Sequence, residues 1–217
     1  EILAAQEELP ALGHDFVDGF CSHCGRAYAT LGLVYRATGE GCAVVDYGGF
    51  DTEVYIPETY NGLPVTAIGE SAFEENDDVI YVEIPESVTE IGNYAFCECY
   101  YLREIVLPST LTFLGDEAFY YCEALESIDL PEGLTEIPYY AFSGCEALKS
   151  VVVPEGVTTI GYGAFSYCDN LESVVLPDSV RYIEEYAFDD CYNLWDIKLP
   201  ENLEGIDYEA FEKLENE

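Results

Sequence analysis

The chain has no methionine, one tryptophan, two histidines and only seven lysines and arginines, against 44 aspartates and glutamates, in 217 residues. Each shortage excludes something. A formal charge of −37 repels phosphate backbones and anionic lipid headgroups, so nucleic acid and direct membrane insertion are not expected. The bland role of such a charge is to keep a protein soluble and unaggregated. No apolar run approaches the roughly 20 residues that cross a bilayer as a helix. His14 and His23 both lie near the start, so the remainder of the chain cannot build a Ser-His or Cys-His site. No phosphate-cradling loop, dinucleotide fingerprint or His-Glu-x-x-His occurs. Close carboxylate pairs are inevitable among 44 acids and point to nothing. The opening Glu1-Ile2-Leu3 has no basic stretch and is not a signal peptide, and no methionine stands there to initiate. Glu1 is therefore expected to be a processed or engineered start, with any export signal upstream of it.

What the chain has in abundance is repetition. Ala-Phe recurs at Ala72-Phe73, Ala95-Phe96, Ala118-Phe119, Ala141-Phe142, Ala164-Phe165, Ala187-Phe188 and Ala210-Phe211, always 23 residues apart. A fixed period of this length marks a solenoid, whose units bury their apolar faces only against their neighbours. The unit from Pro85 to Leu107 carries Val88, Ile91, Ala95, Phe96, Cys99, Leu102 and Ile105, and units opening at Pro108, Pro131, Pro154 and Pro177 repeat it. A longer first unit opens at Pro57 and a last at Pro200. Leu102-x-x-Ile105-x-Leu107 alternates in and out and predicts a short strand that ends against a proline, which has no N–H for a ladder. Val88-Thr89-x-Ile91 predicts a second extended piece closed by Gly92, and Ala-Phe a tight helical turn. About seven coils stacked at ~4.8 Å give a β-rich rod with parallel strands, on the order of 30 Å long. Leu31–Tyr55 predicts a β-hairpin around Gly39-Glu40-Gly41 that caps the bare sheet edge of the first coil. Glu209–Glu217 is expected to form a polar helical turn at the other end. The division expected is a Cys/His-containing segment at 1–30, the hairpin cap at 31–56 and the repeats at 57–217.

The pattern C-x-x-L-x-x-I-x-L-P-x-x-L-T-x-I-G-x-x-A-F resembles the BspA-type, or Treponema-type, leucine-rich repeat. Tyr55-Ile-Pro-Glu-Thr-Tyr-Asn-Gly-Leu-Pro-Val-Thr-Ala-Ile-Gly69 is similar to the usual first repeat of such proteins. Pro138, Glu184 and Asp207 depart from it at the glycine position, which questions the local turn. The resemblance implies a leucine-rich-repeat solenoid from a bacterial surface or secreted protein, in a family linked to adhesion and to binding host matrix proteins. It brings no catalytic residues, so no enzyme is expected.

Nine cysteines form two groups. Cys99, Cys122, Cys145, Cys168 and Cys191 recur at one inward position and predict a ladder of buried, inert thiols. Parallel Cβ vectors about 4.8 Å apart do not suit a disulfide, which wants ~3.8 Å. Cys97 is expected to point outward and to be the reactive thiol. The second group, His14, Cys21, His23 and Cys24, with Cys42 beyond, has C-x-x-C-G spacing; a structural zinc held by His14, Cys21 and Cys24, a local disulfide, and free thiols are all open.

Binding is expected on the outward strand positions. One row reads Glu83, Val106, Asp129, Val152, Val175, Lys198 and another Tyr81, Glu104, Ser127, Ser150, Ser173, Asp196; Arg103, Lys149 and Trp195 stand at the rim. Three of the five basic residues of the repeats lie here, so this is the least acidic face. The candidate ligand contacts are Tyr81, Arg103, Lys149, Val152, Val175, Trp195 and Lys198. Val and Ser also simply suit a parallel sheet. Tyrosines around Ala-Phe, such as Tyr120, Tyr140, Tyr162 and Tyr186, read first as a roof over the core and second as a contact surface. The expected function is non-catalytic cell-surface or secreted display, as a monomer, to an extracellular or host protein. A carbohydrate-binding module using Tyr, Trp195 and carboxylates is the first alternative, and a structural spacer the second.

Overall fold

The computed structural model describes residues 30–211 and, ahead of them, a short antiparallel pair of strands, Phe16–Val17 with Phe20–Cys21. His14 and Cys24 lie outside the described residues, as do the side chain of Cys21 and most of the expected C-terminal turn.

Each 23-residue unit makes one coil with three walls. The Leu-Thr-x-Ile piece builds the threonine wall. Here Leu63–Ile68 takes the strand Gly41–Tyr47 on one side and Glu90–Ile91 on the other, all parallel. Leu33–Thr38 pairs antiparallel with Gly41–Tyr47 and completes a hairpin over the first coil. The wall runs on to Phe113–Leu114, then resumes separately as Glu136–Ile137, Thr159–Ile160, Tyr182–Ile183 and Gly205–Ile206. The Leu-x-x-Ile-x-Leu piece builds the strand wall in two blocks: Glu53–Tyr55, Tyr81–Glu83 and Glu104–Val106, and Ser150–Val152, Ser173–Val175 and Asp196–Lys198.

The third wall holds the Ala-Phe pairs, and it differs from the expectation. Among the described residues it contains no helix. Residues on either side of the first six pairs take left-handed backbone: Tyr94 and Glu98 at φ 58° and 57°, Tyr140 and Gly144 at 47° and 75°, and their counterparts as far as Tyr186 and Asp190. This conformation costs a non-glycine residue on the order of 1–2 kcal/mol. It turns alternate N–H groups out of the local turn and along the rod. Tyr94, Phe96 and Glu98 donate to the carbonyls of Asp116, Ala118 and Tyr120 at 2.9, 2.8 and 2.6 Å, while Ala95, Cys97 and Cys99 donate back to Gly92, Tyr94 and Phe96. The helical turn is therefore replaced by a third inter-coil ladder.

Behind this wall the phenylalanines stack. Phe73, Phe96, Phe119, Phe142, Phe165, Phe188 and Phe211 follow one another at centroid spacings from 4.9 to 5.5 Å, with planes within 15°. Such a pair contributes about 0.5–1.5 kcal/mol beyond its area burial. Cys99, Cys122, Cys145, Cys168 and Cys191 are fully buried, and each thiol donates to the carbonyl of the phenylalanine 26 residues before it, at 3.0 to 3.3 Å. Only a small side chain with a donor satisfies that carbonyl at that depth. In the first coil Asn76 takes the position, and its side-chain oxygen accepts from the N–H groups of Asp78 and Val79.

The two interruptions coincide in the rod. Gly92, Gly115, Gly161, Glu184 and Asp207 each donate to an isoleucine carbonyl one coil earlier, at 2.8 to 3.0 Å. Pro138 occupies the equivalent place and has no N–H. The Thr135 N–H makes no counterpart of the bond from Thr112 to Thr89, and the threonine wall stops at Leu114. In the same turn of chain, Ser127–Asp129 joins no sheet. Its sequence matches the repeat, and nothing in it accounts for the lost pairing. The turn wall crosses this seam unbroken: Glu117, Phe119 and Tyr121 donate to Tyr139, Ala141 and Ser143 at 2.9, 2.9 and 2.7 Å.

Candidate functional site

The strand wall presents its odd positions outward because a pleated strand alternates its side chains. Val82, Ile105, Val151 and Val174 point into the core and are buried, while their neighbours face solvent. Register places Ser150, Ser173 and Asp196 in one row and Val152, Val175 and Lys198 in the next. Val152 and Val175 are 64% and 56% exposed. That is high for β-branched apolar side chains side by side on a rod of charge −37.

The rim position is a third row. The N–H of Glu126 donates to the Arg103 carbonyl, that of Glu172 to Lys149, and that of Trp195 to Glu172. Arg103 and Glu126 thus follow in column before the seam, and Lys149, Glu172 and Trp195 beyond it, where Trp195 is 76% exposed.

The structure divides the predicted contacts. Lys149, Val152, Val175, Trp195 and Lys198 share the block beyond the seam. Tyr81 and Arg103 belong to the block before it. There Tyr81 is half-buried, its hydroxyl donates to Glu83 at 3.2 Å, and its ring lies 5.7 Å from that of Tyr55. Burial and the Glu83 carboxylate push its phenol up to about 12.

Sequence reasoning missed a cleft of about 580 Å³ beside the seam. It is lined by Ser127, Asp129, Ser150, Val152 and Val175 on the strand wall, and Glu132, Glu155 and Asp178 from successive Pro-led corners line it as well. All three corner carboxylate residues are exposed. The signal that could have flagged it was Pro138, read only as a local turn problem.

The tyrosines pack mainly on one another. Tyr139 and Tyr162 stack at 5.5 Å, and Tyr140 meets Tyr162, and Tyr162 meets Tyr186, edge to face. Tyr100 and Tyr182 donate to Glu98 and Glu204 at 2.6 and 2.7 Å. A shallower hollow of about 480 Å³ lies on the threonine wall between Tyr162, Tyr182 and Ile206, with Glu184, Glu185 and Asp207 around it.

Cys97 corrects an expectation. It is 5% exposed, and burial together with the carboxylates of Glu98, Glu74 and Glu117 pushes its thiol up to about 12. Position 97, next to the left-handed Glu98, is covered by its surroundings rather than open to solvent, so Cys97 is not an exposed reactive thiol. Burial pushes Cys99 to about 12 and Cys122 and Cys168 well above the ordinary thiol value. Among the described residues no three His, Cys, Asp or Glu side chains group to hold a metal. Among them, too, no helix is long and apolar enough to cross a membrane.

A parallel solenoid of 23-residue coils with one face of short strands defines a leucine-rich-repeat protein, an architecture of interaction. The model of the BspA type leucine rich repeat region matches residues 66–191 and 113–216, in six copies, and the chain belongs to that family. A leucine-rich repeat protein of Treponema pallidum is 35% identical, with a TM-score of 0.75 over 78% of this chain and 81% of its own. A leucine-rich cell surface protein of Faecalibacterium prausnitzii is 32% identical, with a TM-score of 0.70 over 81% of this chain. A Eubacterium ventriosum leucine-rich repeat protein is 28% identical, with a TM-score of 0.75 over 85% of this chain. The chain spans 55% and 48% of the length of those last two. No curated protein matches it.

Proposed function

We propose that this chain is a non-catalytic interaction segment of a cell-surface or secreted bacterial protein, and that it binds an extracellular protein through the strand wall beyond the seam. The observation that carries this reading is the uncharged row of Val152 and Val175, more than half exposed, beside Trp195 and Lys198 on an otherwise acidic rod. Exposed aromatic and apolar side chains gathered on a fixed sheet are the ordinary anchors of protein recognition. A surface location is supported by the family and by the cell-surface relative.

The second reading, a glycan-binding module, draws on the hollow of Tyr162 and Tyr182 with its carboxylates. One experiment separates the two. The purified chain is screened on arrays of extracellular-matrix proteins and of glycans, beside a Trp195→Ala/Lys198→Ala variant. Binding to a protein that the variant loses is the expected result. Binding to glycans that the variant retains would replace it with the second reading, and silence on both arrays would leave a spacer.

A further inference from the structure

The cleft beside the seam adds a partner chemistry to the proposed binding wall, and the inference rests on that reading. Its apolar part is Val152 and Val175, exposed in register. Its walls include Ser127 and Asp129, whose backbone joins no sheet, so the surface here is cut by a notch rather than continued as a smooth wall. Along one side stand Glu132, Glu155 and Asp178, one from each of three consecutive coils. Coils repeat at about the parallel-sheet spacing of ~4.8 Å, so three carboxylates span on the order of 10 Å. The guanidinium beside this row is held by backbone carbonyls and by a carboxylate outside the cleft. The Arg181 guanidinium donates to the backbone carbonyls of Asp178 and Asn202 at 2.8 and 3.4 Å, and its Nε stands 3.6 Å from Glu204. Lys198 follows Val175 in the valine row and marks the end of the surface that can take positive charge.

An occupant must therefore be elongated, apolar on one side and positive on the other. A small cation would leave the valines uncovered, and a purely apolar segment would desolvate three carboxylates without compensation. We propose that this cleft seats an extended basic segment of the partner protein, with apolar side chains on Val152 and Val175 and lysines or arginines on Glu132, Glu155 and Asp178. The rod's own charge of −37 steers such a segment in, and the cleft selects it by contact.

The test uses the full chain and three labelled ten-residue peptides alternating Lys-Val, Lys-Ser and Glu-Val, followed by fluorescence anisotropy at low and physiological salt. Lys-Val should bind at least about tenfold tighter than either other peptide, and less tightly as salt rises. Val152→Ser/Val175→Ser and Glu132→Gln/Glu155→Gln/Asp178→Asn should each weaken it about tenfold or more. A control of equal charge change, Glu40→Gln/Glu70→Gln/Glu90→Gln, lies on the hairpin, the first turn and the threonine wall, and should change it less than about threefold. Equal losses in the two charge variants, or equal binding of Lys-Ser and Lys-Val, would overturn the inference by reducing the effect to the general field. A protein found on the matrix array that binds the wild type and the Glu132→Gln/Glu155→Gln/Asp178→Asn variant alike would also overturn it, while leaving the interaction reading intact. Loss of that protein's binding in the site variant and not in the control would support both.

Discussion

The turn wall and the strand wall are built from the same repeat, yet only one is continuous. Across the seam the turn wall keeps its hydrogen bonds, the Phe119–Phe142 stack at 5.3 Å and the bond from Cys145 to the Phe119 carbonyl. The strand wall drops Ser127–Asp129 from its sheets at the same level. The difference teaches where cohesion resides. Ala and Phe, which repeat without exception, and the cysteine buried in five successive coils hold neighbouring coils together. The outward strand positions vary freely, and one coil departs from the sheet without breaking the core. A recognition surface can change on such a wall at little structural cost.

The comparison can be broken most severely in the turn wall. Phe142→Ala removes a fully buried ring that stacks on both neighbours at the seam, and should cost about 3–5 kcal/mol. Ile128→Ala, also buried but on the coil whose strand is unpaired, should cost less, near the lower end of the ~2–5 kcal/mol range for Ile→Ala. Urea unfolding of both variants checks the order; a larger loss at Ile128 would reverse the ranking of the walls.

A smaller effect comes from pH. Burial raises Glu117, aided by Asp116 and Glu74, and burial also raises Glu146, aided by Glu123 and Asp169. A carboxyl raised in the folded state contributes stability that is present below its unfolded value and lost as pH rises through the folded one. Glu86, lowered by hydrogen bonds from the Ser109 side chain and backbone, acts in the opposite sense, its contribution fading as pH falls. Glu185 is raised as well and Glu209 lowered, so three raised groups stand against two; with the self-repulsion of −37 relieved by protonation, the melting temperature should rise on acidification from pH 7 toward 5, by a few degrees on the scale of ~2–4 °C per kcal/mol. A flat or falling profile in that interval would count against this balance.

The smallest effect sharpens the contrast directly. Pro138→Gly restores an N–H where the other coils donate to an isoleucine, and frees the unfolded chain at the same time. A new hydrogen bond of about 1 kcal/mol set against ~0.4–1 kcal/mol of chain entropy should leave thermal stability nearly unchanged. A large destabilisation would mean that Pro138 supports the seam rather than merely lacking a donor.

Much of this was legible in the sequence. The 23-residue period gave the coil, its strands and the outward rows, because burial in a solenoid repeats with the chain. The Ala-Phe turn was read as helical because left-handed backbone at Tyr94, Glu98 and Tyr140 leaves no signature when the residue is not glycine. The burial of Cys97 escapes the sequence because Glu74 and Glu117, from the neighbouring coils, lie close to it, which no pattern within one unit shows. The cleft was hidden because Ser127-Ile128-Asp129 fits the repeat, and only Pro138, across the coil, hinted at a missing bond.

The measurement that tests the account most directly is native-state amide hydrogen exchange resolved along the chain. The account predicts strong protection at Phe96, Phe119 and Phe142 on both sides of the seam, protection at Glu104–Val106 and Ser173–Val175, and rapid exchange confined to Ser127–Asp129 on the strand wall. Protection of Ser127–Asp129 equal to that of its neighbours would contradict it, removing both the seam and the notch on which the proposed cleft depends.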